Sequence, residues 1–164
     1  VDADHHWELL ITQWCGRTLA DLEDALHARL GASGIKEHLP LLPGVRELLD
    51  AAAARDLLVG LATGNSLDAI ERRLGRHGVF DRFDAVVTRV DVALGKPAPD
   101  IFLETARRLG VDPGECLVLE DSVPGCEAAL AAGMRVIACP SVVSAHCEFP
   151  DGIERVTTLL EVVV

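Results

Sequence analysis

The chain has 164 residues, a formal net charge of −11 and 49% apolar residues, which suits one domain, or one with a small appendage, and a substantial core. So acidic a chain lacks the clustered Lys and Arg that a nucleic-acid backbone demands, and no uninterrupted apolar run is long enough to cross a bilayer, so neither nucleic acid nor membrane is expected as a partner. The opening VDADHHWELL lacks the basic-then-apolar order of a signal peptide. The five cysteines, Cys15, Cys116, Cys126, Cys139 and Cys147, are odd in number and form no Cys-x-x-Cys. Disulfide frameworks and zinc ribbons are disfavoured, and a cytoplasmic location is expected.

In chain order, residues 17–31 form an amphipathic pattern with Leu19, Leu22, Leu26 and Leu30 on one face. A small helical appendage is expected there, ending near Leu39 to Pro43. Residues 42–56 read as a helix entered through Pro43-Gly44. From Leu57 onward strand and helix alternate. Residues 57–63 are an apolar strand ending at Gly64. Residues 66–78 place Leu67, Ile70 and Leu74 at helical spacing, with Gly78 as a stop. Residues 83–88 are a strand and 99–110 a helix, with Pro99 and Asp100 in its first turn and Gly110 at its end. Residues 116–121 are a buried strand, 125–134 an alanine-rich helix ended by Gly133, and 135–140 a strand. VTTLLEVVV supplies a last short element. Strict alternation implies right-handed βαβ units, hence an α/β fold with a Rossmann-like parallel sheet flanked by helices. Ligands of such sheets lie at the carboxyl ends of the strands, where Thr63 and Glu120-Asp121 end theirs and Lys96 follows a third.

Three stretches at that edge carry chemistry. In LATGNS, Thr63 followed by Gly64 at a helix start offers a hydroxyl and free backbone N–H groups, a ready anion site. Taken by itself this is more simply an N-cap by Thr63 or Asn65, contributing about 1 kcal/mol. In LVLEDS, two adjacent carboxylates, Glu120 and Asp121, end an apolar strand. A hard cation such as Mg²⁺ would compensate them; the alternative is a capped helix start, with Asp121 or Ser122 as the N-cap. In GKPAPD, Pro97 restricts the geometry of Lys96, so the ammonium is aimed. A cation aimed at a carboxylate pair and an anion nest would neutralise phosphoryl oxygens.

The three stretches, in this order, resemble the haloacid dehalogenase superfamily of phosphatases and phosphomutases, and most closely its β-phosphoglucomutase-like branch. The resemblance covers roughly residues 40–140 and includes LPGVRELLDA and the run from GVFDRF to AALAAGM. It implies a core over 41–164 and a partial helical cap segment over 1–40. It also implies roles. Thr63 and Gly64, with Asn65, would bind the transferred phosphoryl group. Lys96 would bridge that group and the nucleophile, and Ser122 would lie beside the site. Asp121 would bind Mg²⁺, with Glu120 a direct or outer ligand. The implied enzyme is a Mg²⁺-dependent phosphatase acting on a small phosphorylated metabolite, a sugar phosphate being one option. A phosphomutase of the same family and a non-catalytic phosphate-binding protein stay open as alternatives. Monomer and dimer are both compatible with the sequence.

The family's first motif, a strand ending in Asp-x-Asp-Gly-Thr that carries the aspartyl nucleophile, is missing. Asp2-x-Asp4 has neither a preceding apolar strand nor a following Gly-Thr. The expectation is a chain beginning inside the cap as the C-terminal part of a longer protein, with the sheet lacking its central first strand and the aspartyl-phosphate nucleophile upstream. Other candidates read plainly. His5 and His6 beside the two Asp are solvated, His146-Cys147 is a loop, Trp7 and Trp14 are packing residues, and Cys116, Cys126 and Cys139 are core. No Gly-x-Gly-x-x-Gly occurs, which argues against a dinucleotide site.

Overall fold

The structure, a computed structural model, describes residues 8–12 (backbone), 41–141 and 144–164. Six strands form one parallel sheet: β1 (Glu8–Thr12), β2 (Val59–Thr63), β3 (Ala85–Thr88), β4 (Cys116–Glu120), β5 (Arg135–Ala138) and the short β6 (Glu154–Arg155). Their order is β3-β2-β1-β4-β5-β6. Among the described residues, four α-helices lie between the strands: α1 (Val45–Ala53), α2 (Leu67–Arg76), α3 (Asp100–Leu109) and α4 (Val123–Ala131). The α/β sheet with flanking helices is the architecture that strand–helix alternation implies. No described helix is long and apolar enough to cross a membrane.

Side-chain alternation along the strands builds two cores. Val59 and Leu61 of β2, Leu117 and Leu119 of β4 and Ile137 of β5 face α1 and α2, where Val45, Leu48, Leu49, Ile70 and Leu74 cover them. Ala62, Val87, Cys116, Val118, Val136 and Ala138 face α3 and α4, against Ile101, Phe102, Cys126 and Ala129. Leu67, expected on the buried face of α2, is exposed in the first turn of that helix. Gly44 starts α1 at φ 96°, and a Cβ there would lie 2.7 Å from Leu159 Cβ and from Leu160 N. Only glycine fits that approach of α1 to the C-terminal segment. That segment closes in a 3₁₀ turn over Leu159–Glu161, capped by Thr158.

Two strands differ from the sequence reading. β6 was not anticipated, since two exposed residues carry no periodic signal. β1 lies within the stretch read as helical, and it fills the central position expected to be empty. Leu9 pairs with Val59 on one side and Leu117 on the other, and Ile11 with Leu61 and Leu119. Both backbone edges of the Leu-Leu-Ile run are thereby taken up, and a short apolar run cannot be assigned to helix or strand by periodicity. The rest of residues 1–40, including the 17–31 helix, Asp2, Asp4, His5, His6, Trp7, Trp14 and Cys15, lies outside the described residues.

Candidate phosphate and metal site

Alternation decides where the functional side chains point. Glu120 ends β4 in phase with Cys116 and Val118, so it enters the α3–α4 side; Thr63 ends β2 in phase with Val59 and Leu61, on the α1–α2 side. Both stand at the carboxyl edge, with β1 between their strands.

Glu120 is buried with its charge compensated. Lys96 Nζ donates to Oε2 at 2.8 Å, and the side chains are 12% and 1% exposed. Ser122 donates to Oε1 from its hydroxyl at 2.6 Å and from its backbone N–H at 3.3 Å. The Lys96 ammonium also lies 5.0 Å from the centroid of the buried Phe102 ring. Removing one partner of such a pair would strand a buried charge, at a cost of about 3–5 kcal/mol. Ser122 is also the N-cap of α4, accepting from Gly125 N–H at 3.2 Å. Lys96 is carried by a loop fixed at many points. Arg89 donates to the carbonyls of Val92 and Ala93, and Leu94 N–H donates to Asp100. Ala98 N–H closes a turn on Gly95 O, and the Lys96–Pro97 peptide is cis.

Asp121 is the next residue and differs from its neighbour. Its Oδ1 is buried and has no hydrogen-bond partner among the described residues. Burial first, and then the charge of Glu120, raise its carboxyl well above the usual carboxylate range, with Lys96 opposing. Its backbone carbonyl accepts a 2.6 Å hydrogen bond from the buried Ser144 hydroxyl. An unpartnered buried carboxylate oxygen fits a hard cation, which would supply the missing partner. No group of three or more His, Cys, Asp or Glu side chains is clustered for a metal among the described residues. Asp121 is thus the candidate ligand that stands out among the described residues, and Mg²⁺ commonly keeps water and substrate oxygens in its shell.

Thr63 is buried, and its Oγ1 accepts from Asn65 N–H at 3.1 Å and Asn65 Nδ2 at 3.3 Å. The hydroxyl thus organises the Thr63-Gly64-Asn65 turn. The N-cap of α2 is Ser66, which makes no side-chain cap bond, so neither Thr63 nor Asn65 is that cap. The structure joins Lys96, Glu120 and Ser122 by direct contact and sets Asp121 beside them. It places Thr63 at the same edge, as the last residue of β2, with Gly64 and Asn65 in the turn that follows.

Sequence reasoning missed Ser144 and the supports of the lysine loop. Arg108 donates to Asp91 at 2.7 Å and to the Val86 carbonyl at 2.8 Å, tying α3 to the 3₁₀ turn Arg89–Asp91 and to β3. The spacing Thr88-x-x-Asp91 is a capping-box signal that could have located this turn. Ser144 sits in a loop with no periodic signal. His146 and Cys147 are exposed on that loop, whereas Cys116 and Cys126 are buried and Cys139 is half-buried.

Comparison with known proteins adds an independent line. A family model described as haloacid dehalogenase-like hydrolase matches residues 5–133. Hexitol phosphatase B of Escherichia coli K12 is 40% identical over 128 residues, covering 78% of this chain and 57% of that protein. The plasmid-encoded CbbY of Cupriavidus necator is 34% identical over 157 residues, covering 88% of this chain and 60% of the relative. The chain thus spans little more than half the length of these relatives. A variant of CbbY from Rhodobacter sphaeroides, solved in complex with xylulose-(1,5)bisphosphate, matches with a TM-score of 0.71 at 32% identity, over 87% of this chain and 65% of that one. β-Phosphoglucomutase from Clostridium difficile matches with a TM-score of 0.65 at 27% identity, over 75% and 52%.

Proposed function

This chain belongs to the haloacid dehalogenase-like hydrolase family, in its phosphoglucomutase-like branch, and from that premise we propose that it supplies the phosphate- and metal-binding part of a Mg²⁺-dependent phosphatase. The observation that carries the reading is the buried Lys96–Glu120 pair beside Asp121, whose Oδ1 has no hydrogen-bond partner among the described residues. An aimed cation next to a carboxylate suited to a hard metal is what transfer of a phosphoryl group from one oxygen to another requires, because the negative charge on its oxygens must be neutralised. Lys96 neutralises the transferring phosphoryl group, and the Thr63 hydroxyl and the Gly64 N–H, with Asn65, donate to its oxygens. Asp121 holds the Mg²⁺ and Ser144 fixes its backbone. The metal ion supplies neutralisation of phosphoryl charge. Ser122 secures Glu120, and Glu120 secures Lys96.

The aspartyl nucleophile of the family's chemistry has no counterpart at the end of the central strand, where Thr12 stands, and the 164 residues contain no Asp-x-Asp-Gly-Thr. The proposed aspartyl-phosphate step therefore uses a carboxylate outside the described residues. That sequence fact also favours a second reading, phosphate binding without turnover. The names of the relatives suggest small sugar-type phosphates, so a hexitol phosphate is the first substrate to try; a phosphomutase remains the close variant.

Calorimetry with inorganic phosphate and Mg²⁺, together with phosphate release from p-nitrophenyl phosphate and a hexitol phosphate by the natural protein, tests the proposal. Phosphate binding that Mg²⁺ strengthens and Asp121→Ala abolishes is the expected result. Turnover should fall by roughly 10²–10³-fold in Lys96→Ala, the scale of losing one preorganised charge-stabilising group. Binding without turnover selects the second reading. Absence of both phosphate binding and a Mg²⁺ effect overturns both.

A further inference from the structure

Gly125 occupies the first turn of α4 as an ordinary helical residue, so its missing side chain is not explained by backbone freedom. Space explains it. A Cβ on Gly125 would lie 2.0 Å from Glu120 Cδ, 2.1 Å from Oε1 and 2.5 Å from Cγ. Moving those atoms aside breaks the bonds that hold them. Lys96 holds Oε2, Ser122 holds Oε1, and the Glu120 side chain is buried. The Gly125 N–H reinforces the arrangement, because it donates to the Ser122 hydroxyl that itself donates to Glu120. The carboxylate is folded beneath the helix start in the volume where any other residue would carry its β-carbon.

We propose that Gly125 is a positioning residue for Lys96, acting through Glu120: it keeps open the space in which the lysine's counter-charge lies. The proposal rests on the reading of Lys96 as the cation that meets the phosphoryl group. A β-carbon expels the carboxylate, and the Lys96 ammonium, mostly buried over Phe102, loses the partner that aims it. The same geometry separates the roles of the two adjacent acids. Both Glu120 oxygens accept from protein donors, whereas Asp121 Oδ1 has no hydrogen-bond partner among the described residues.

A purely local role predicts the opposite sign for Gly125→Ala, since alanine is the better helix former and would stabilise α4. Thermal midpoints of Gly125→Ala are therefore compared in the wild-type chain and in a Lys96→Met/Glu120→Ala background, where apolar groups replace the ion pair and the space is vacated. We expect the substitution to lower the midpoint in the first and to leave or raise it in the second. Gly125→Ala folding only in that background supports the proposal as well. Equal effects in both backgrounds overturn it.

NMR of the Lys96 ε-methylene, assigned by its loss in Lys96→Met, adds a reading that helix propensity would not move. The resonance should shift in Gly125→Ala, and an unmoved resonance in the folded variant overturns the proposal. Inorganic phosphate should also bind roughly tenfold more weakly to Gly125→Ala, the scale of a lost charge-assisted hydrogen bond. If the wild-type chain binds no phosphate, the phosphatase reading fails, while the midpoints and the Lys96 resonance still decide the role of Gly125.

Discussion

Asp91 accepts from the Thr88 hydroxyl at 2.6 Å, from Thr88 N–H at 2.8 Å and from Arg108 at 2.7 Å. The Thr88 hydroxyl first, and then the Arg108 guanidinium, lower its carboxyl from 3.8 to about 2. Because the folded value lies below the unfolded one, the folded state binds fewer protons in that window. The contribution is fully present above about 4 and is lost as pH falls through about 2. Asp91→Asn should therefore lower the thermal midpoint near neutral pH and flatten its dependence on pH across that acid limb, as read by melts at successive pH values. Lys96 was legible in the sequence because two prolines and a glycine surround it, a composition that no ordinary element needs. Asp91 was not, because one carboxylate in an acidic chain carries no signal until its threonine three residues earlier is weighed with it.

At the scale of the element, α4 shows how a cap and a functional contact share one atom. The Ser122 hydroxyl accepts from Gly125 N–H and donates to buried Glu120. Cap removal costs about 0.5–2 kcal/mol, and here it also deprives a buried carboxylate of a donor. Ser122→Ala should therefore lose about 2 kcal/mol, toward the upper end of cap effects, while Ser122→Thr, which keeps the hydroxyl, should lose less; urea denaturation of both measures the difference. The helix was read as starting at Gly125, but it begins at Val123, with Pro124 in its first turn. Proline is tolerated there because it lacks an N–H that would find no helical partner. β2, β4 and β5 were legible within a residue or two, since each is an apolar run bounded by turn residues. β1 was not, because its run merges into a stretch with helical periodicity further on.

For the whole molecule, the two cores on either face of the sheet set stability, and Phe102 belongs to both structure and site. It is fully buried between α3 and the sheet, with its ring beneath the Lys96 ammonium. Phe102→Ala should cost about 3–5 kcal/mol by denaturant unfolding, as large core deletions do. The net charge of −11 adds a second expectation. Like charges on a compact surface repel, and salt screens them over about 10 Å at 0.1 M. The thermal midpoint should rise between low salt and 0.15 M NaCl, and a falling midpoint would show that screened attractions dominate. Alternation of strand and helix revealed the parallel sheet, but sequence spacing could not show how the edge is shared out. That Glu120 meets the lysine depends on the side of the sheet its strand phase selects, and on the space that Gly125, five residues away, leaves for it.

The burial of Glu120 under the start of α4 has a dynamic consequence. Helix ends ordinarily fray, and their first amides exchange with solvent through small local openings. Here the first turn cannot open without lifting the Ser122 hydroxyl from the carboxylate that holds Lys96. The amides of Gly125 and Cys126, bonded to Ser122, should thus exchange in deuterated solvent nearly as slowly as the sheet interior. In Lys96→Met/Glu120→Ala they should revert to the fast exchange of a common helix terminus. Fast exchange of both amides in the unaltered chain would mean that the helix start opens independently of the ion pair beneath it.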